Sequence, residues 1–153
     1  MKKSGWIPRR IFRNILQLVP IPTVDFVIVR TKNDKREFLL GKRSNKPYRG
    51  RWFVPGGRVL WGETLEEAAG RQLKRELGIT LRRFRFVGHC AFVNPPGNLG
   101  VKYHTILHVY RVELPKGVAV QSNQENRIIR WFTRIKPNWP KPVREILRLA
   151  GFT

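Results

Sequence analysis

Four glutamates, Glu63, Glu66, Glu67 and Glu76, fall in one 14-residue window of "WFVPGGRVLWGETLEEAAGRQLKRELGI", in a chain with only 10 acidic residues against 31 basic ones. Carboxylates beside a glycine-rich turn can hold a hard cation or cap a helix, and position separates the two uses. Thr64 followed three residues later by Glu67 is a capping box, in which the hydroxyl accepts from the Glu67 amide and the carboxylate accepts from the Thr64 amide. Glu66 reads as a solvated residue of the first turn. Glu76 sits in the last turn, where the negative end of the helix dipole disfavours a carboxylate by ~0.3–1 kcal/mol. It therefore needs a cation, either a metal or Arg71 or Arg75. Glu63, just ahead of the cap, is the other carboxylate with a chemical look.

The spacing resembles the Nudix box: Gly, five residues, Glu, seven residues, Arg-Glu, an aliphatic, any residue, Glu-Glu, any residue, Gly, an aliphatic. Gly57, Glu63, Arg71, Leu73, Glu76, Gly78 and Ile79 stand in register with it. Gln72 and Arg75 replace glutamates that ordinarily help to bind metal. This degenerate box is similar to that of the GDP-mannose mannosyl hydrolase branch, as are "DFVIV", "EFLLGKR", "GRWFVPGGRV" and "ETLEEA" across residues 24–80; beyond Lys102 only "YHTILHVYRV" and "RWF" resemble it, and more loosely.

The resemblance implies an α/β fold, a Nudix-type α/β/α sandwich with a mixed β-sheet. It also implies a Mg²⁺-dependent hydrolase (Mn²⁺ as substitute) of nucleotide sugars, with water attacking the anomeric carbon and GDP leaving. Glu76 and the Gly56 carbonyl become metal ligands, helped by substrate phosphates because one carboxylate alone is a poor cage. Arg43 takes the place of a diphosphate-binding arginine, Arg58 that of a second arginine near the substrate, and Asp25 that of an aspartate in the pocket. Tyr103 joins them as a candidate for stacking on base or sugar. Glu63 and Arg71 brace the loop, with Gly57 and Gly78 as its structural glycines. In the last loop the match fails. Counting back from Trp131 puts Glu125 where the branch has a metal-binding glutamine and Asn126 where it has a histidine base, and an asparagine cannot accept a proton at neutral pH. The base is then Glu125, which would also touch metal, or His104 from its strand, or the transfer to water is weak. The branch forms homodimers through N-terminal segments, and that expectation extends to this chain.

The elements that must position these groups are legible in outline. The 153 residues fit one domain, 41% hydrophobic and 11% aromatic, with residues 1–22 an N-terminal amphipathic segment of it and 23–153 the main body. Ile7, Ile11, Ile15 and Leu18 at helical spacing, with Arg9, Arg10 and Arg13 largely on other faces, predict a basic amphipathic helix that docks on the body, on a second subunit or on a membrane, protein being preferred, and ends at "PIP" (20–22). "VDFVIVR" and "EFLLGKR" predict a hairpin. Strands are expected at 83–93, 101–114 and 127–132, and a last helix starts near Pro142. No stretch approaches the ~18 apolar residues of a membrane span, no secretory signal shows, and the lone Cys90 reads as a buried strand thiol. A cytoplasmic location is the default. The net charge of +21 favours anionic partners: a phosphorylated small molecule, nucleic acid or an anionic membrane. Three rival readings stand beside sugar release: a pyrophosphatase attacking phosphorus of a nucleoside diphosphate derivative, a nucleic-acid-associated protein, and a binding module with a dead box.

Overall fold

A computed structural model describes residues 7–81, 83–122 and 128–153. In chain order the elements are α1 (Arg9–Leu18), β1 (Ile21–Lys32), β2 (Lys35–Lys42), β3 (Trp52–Phe53), β4 (Gly56–Arg58), α2 (Leu65–Leu77), β5 (Arg85–Asn94), β6 (Tyr103–Glu113), β7 (Ile128–Phe132) and α3 (Lys141–Leu149).

β1 organises the sheet. It pairs antiparallel with β2 through Val29–Lys32, antiparallel with β4 through Thr23–Asp25, and parallel with β6 along Ile21–Val29. β5 closes one edge against β6, while β3 and β7 extend β2. The hairpin between β1 and β2 turns on Asn33 and Asp34, both at positive φ (49° and 58°), the backbone that a two-residue loop needs to match strand twist.

Alternation along β1 sends its side chains to two cores. Val24, Phe26 and Ile28 pack with Leu39 and Val112 under Ala68, Ala69, Leu73 and Leu77 of α2. Val27 and Val29 pack with Phe38, Leu40 and Val109 under Val143, Ile146 and Leu147 of α3. The result is a mixed sheet between helices, the expected α/β class.

Three expectations shift. β1 begins at Ile21, inside the segment read as a helix stop; Pro22 lies next to the strand's first residue, a position where the missing N–H is tolerated. α1, expected to pack on protein, does so through side chains that are only partly buried, with the Arg58 guanidinium 4.4 Å from the Phe12 ring centroid. Cys90 is half-buried rather than enclosed, and burial still pushes its thiol up to about 12.

The glycine loop and the pocket above the sheet

α2 is built as its sequence dictates. Thr64 accepts from the Glu67 amide at 3.1 Å and the Glu67 carboxylate accepts from the Thr64 amide at 2.9 Å. Gly78 ends the helix in the left-handed conformation, φ 66°, which glycine adopts without strain. The inward stripe includes two polar residues, Gln72 (3% exposed) and Glu76 (2%). They lie one turn apart, facing β4 and its glycines.

The loop between β4 and α2 is tied down by Arg71. Its guanidinium donates to the Glu63 carboxylate at 2.5 and 2.8 Å, to the Arg58 carbonyl at 3.0 Å and to the Gln72 side-chain oxygen at 3.0 Å. Glu63 also accepts from the Leu60 amide at 2.9 Å. Gln72, in turn, lies so close to Gly57 that a Cβ there would collide with its amide. A neutral glutamine thus fills the space under the glycine turn, in a position where the sequence pattern calls for a charged metal ligand.

On the sheet face opposite α2 a pocket of about 440 Å³ opens. Asp25, Arg43, Gly56, Gly57, Arg58 and Tyr103, all drawn from different parts of the sequence reading, line it. Asp25 is 7% exposed and accepts from the Thr23 hydroxyl at 2.5 Å. Burial raises its carboxyl to about 7, and the Thr23 hydrogen bond and the Arg43 charge only partly oppose that. Gly56 faces it across the ladder, and a Cβ at Gly56 would strike the Asp25 carboxylate and the Val24 carbonyl. Arg43 is oriented by its Nε–H donating to the Pro47 carbonyl at 3.0 Å and by the Phe53 ring 5.2 Å from its guanidinium. Burial raises the Tyr103 phenol, which stays protonated. It also lowers Arg58, with the Arg71 charge adding to that.

Several lining residues escaped the sequence reading. Tyr48 stacks on Phe53, ring centroids 5.4 Å apart. Asn94 donates to the Thr105 hydroxyl at 2.9 Å in the pocket wall. Phe12 and Leu16 of α1 form the rim, with the Arg58 guanidinium 4.4 Å from the Phe12 ring centroid. Only Thr23 was readable, since i and i+2 on a strand share a face with Asp25.

Two sequence candidates do not join this group. His104 alternates with Tyr103 along β6, so it leaves the sheet on the other face; it borders a shallow depression with Arg13 and Val93. Glu125, with Asn126, lies outside the described residues. Among the described residues no three His, Cys, Asp or Glu side chains converge on a common point. Magnesium wants about six oxygens in octahedral array. Among the described residues Glu76 is the one carboxylate left at the box's metal positions, and Glu125, the other expected carboxylate ligand, lies outside them.

The sequence matches the NUDIX domain family model over residues 21–149. Among curated proteins it is similar to the low-salt glycan biosynthesis protein Agl8 of Haloferax volcanii, 44% identical over 78 residues, which is 51% of this chain and 47% of that protein. It is also similar to the ADP-ribose pyrophosphatase of Methanocaldococcus jannaschii, 45% identical over 64 residues, 42% of this chain and 36% of that protein. The aligned stretch spans less than half the length of either relative. Among solved structures, the MutT protein of Methanosarcina mazei Go1 superposes with a TM-score of 0.69 at 24% identity, covering 87% of this chain and 95% of that one. A Caenorhabditis elegans Ap4A hydrolase binary complex gives 0.65 at 25% identity, covering 86% and 95%. The family match runs from the first strand to the last helix, over the whole sheet that carries the pocket, and on that extent the chain belongs to the NUDIX domain family.

Proposed function

We propose that the chain hydrolyses a nucleoside diphosphate sugar, GDP-mannose or GDP-glucose in the first instance, to GDP and free sugar. One observation carries the reading: a buried carboxyl, Asp25, shares a pocket with two cations, Arg43 and Arg58, and a phenol, Tyr103. A sugar diphosphate presents the complementary pair, hydroxyls for the carboxyl and phenol and a charged bridge for the guanidiniums.

In this reading water attacks the anomeric carbon, the bond from that carbon to the diphosphate oxygen breaks, and its electron pair leaves on GDP. Negative charge grows on the leaving oxygen, and cations fixed beforehand stabilise that charge without reorganising. Arg43 is the better placed of the two for this, because Pro47 and Phe53 hold it still. Asp25 lies where it would orient a sugar hydroxyl. Magnesium or manganese enters as the counter-ion of the diphosphate, as part of the substrate. Glu125 remains the proposed acceptor of the water proton.

Hydrolysis in ¹⁸O-labelled water, with products weighed by mass spectrometry, tests the proposal. Label in the free sugar, with unlabelled GDP, is the expected result. Label in a nucleoside monophosphate or sugar phosphate would replace it with attack at phosphorus. That second reading is favoured by the pyrophosphatase name of the Methanocaldococcus jannaschii relative.

A further inference from the structure

The helix that rims the pocket turns a second apolar line away from it. At about 3.6 residues per turn, Ile11, Ile15 and Leu18 form one line of α1, beside the Phe12 and Leu16 line that meets the pocket. Ile11 is 52% exposed, Leu18 79%, and Val19, just past the helix, 51%. The loop after β4 runs against the same end of the molecule. Its Val59 amide donates to the Pro22 carbonyl at 3.0 Å, and Arg58 meets Phe12. Two residues on, within about 7 Å of chain from Val59, Trp61 is 82% exposed. Trp61 and Leu18 are the most exposed large apolar side chains among the described residues. Arg9, Arg10 and Arg13 are exposed on the rest of α1, which carries no acidic residue. Of the nearby carboxylates, Glu63 is paired with Arg71 and Glu67 accepts from the Thr64 amide, while Glu66 is exposed on the first turn of α2.

Charge and apolarity together select the occupant. The homodimer that the resemblance implies would also cover this line, but it would bring +21 against +21, and like charge of that size opposes association. Nucleic acid would accept the arginines through its phosphates but has no apolar phase for leucine and isoleucine. An anionic bilayer accepts both: its surface attracts the arginines, its headgroup–acyl boundary takes the aliphatic side chains, and tryptophan favours that boundary. We propose that α1 and the Trp61 loop form an interfacial docking surface for an anionic lipid bilayer. The chain would lie on the membrane without crossing it, since among the described residues no helix is long and apolar enough to span. This inference does not depend on the proposed reaction.

Co-sedimentation of the full chain with phosphatidylcholine vesicles and with phosphatidylcholine–phosphatidylglycerol vesicles tests it. Binding is expected to the anionic vesicles only. Leu18→Ser and Trp61→Ser should each weaken it about tenfold by removing inserted apolar area, with the thermal midpoint unchanged because both side chains are exposed. Failure to bind anionic vesicles overturns the proposal, as does binding that survives both substitutions. Retention of a single-stranded RNA that neither substitution alters, with no vesicle binding, assigns the basic surface to nucleic acid instead. A concentration-dependent dimer abolished by Leu18→Ser, again with no vesicle binding, gives the apolar line to a second copy.

Discussion

Arg71 and Glu63 meet through two hydrogen bonds, 2.5 and 2.8 Å long, across the base of the glycine loop. The same guanidinium holds the Arg58 carbonyl and the Gln72 side chain, so one residue joins the loop to the pocket wall and to α2. Paired, charge-assisted contacts of this kind exceed ordinary surface ion pairs in strength. Glu63→Gln keeps the shape and removes the charge. It should lower stability by about 1–3 kcal/mol, read as a shift in urea midpoint at constant slope. Arg71→Ala alone and combined with Glu63→Gln should show strong coupling; additive losses would mean that the pair acts as two independent contacts.

A second relationship predicts a rescue. Gly57 has no room for a Cβ because the Gln72 amide occupies that space. Gly57→Ala should therefore destabilise by roughly 1–3 kcal/mol through overpacking. Gln72→Ala removes the obstructing amide, so the double variant should recover part of that loss. A double variant less stable than either single one would show that the obstruction lies in the backbone and not in the glutamine.

What could be read from the sequence follows the range of the contacts involved. α2 was legible because its start and stop depend on residues three or four apart, Thr64 with Glu67 and Lys74 with Gly78. The hairpin of β1 and β2 was legible because alternation and a polar turn are also local. The start of β1 was not. Pro20 and Pro22 read locally as a break, and only the parallel partner β6, far along the chain, makes Ile21 a strand residue. The pocket divides in the same way. Asp25, Arg43 and Arg58 came from short stretches that resemble the family, "DFVIV", "EFLLGKR" and "GRWFVPGGRV". Tyr48, Asn94 and the α1 rim carry no spacing that announces them, because chain topology alone brings them to one wall. His104 could have been placed from β6 itself, where it alternates with Tyr103 and so must leave by the other face.

The buried Asp25 carboxyl should leave a mark on stability. In the unfolded chain it ionises near 3.8, whereas in the fold burial holds its proton to about 7. Between those values the native state keeps a proton that the unfolded state has released, so stability falls as pH rises through that window. The slope approaches at most about 1.4 kcal/mol per pH unit. Asp25→Asn cannot ionise and should abolish this component, making the variant the flatter of the two in denaturant titrations between pH 3.8 and about 7. An unchanged slope in the variant would show that the carboxyl is already ionised in the fold.

Arg43 separates the proposed chemistry from mere binding. Its orientation comes from an Nε–H bond to Pro47 and from the Phe53 ring. Lysine carries the same charge but has no Nε–H and no planar fork. If Arg43 stabilises charge that grows as GDP departs, Arg43→Ala should lower kcat by roughly 10²–10³ with a smaller change in KM. Arg43→Lys should recover only part of that loss, because the charge returns without its orientation. Neither substitution should alter the fold, since the side chain packs at the pocket wall and not in either core. Steady-state kinetics on GDP-mannose, with circular dichroism to verify folding, makes the comparison. A rise in KM with kcat unchanged would make Arg43 a ground-state anchor for the diphosphate and remove it from the bond-breaking step.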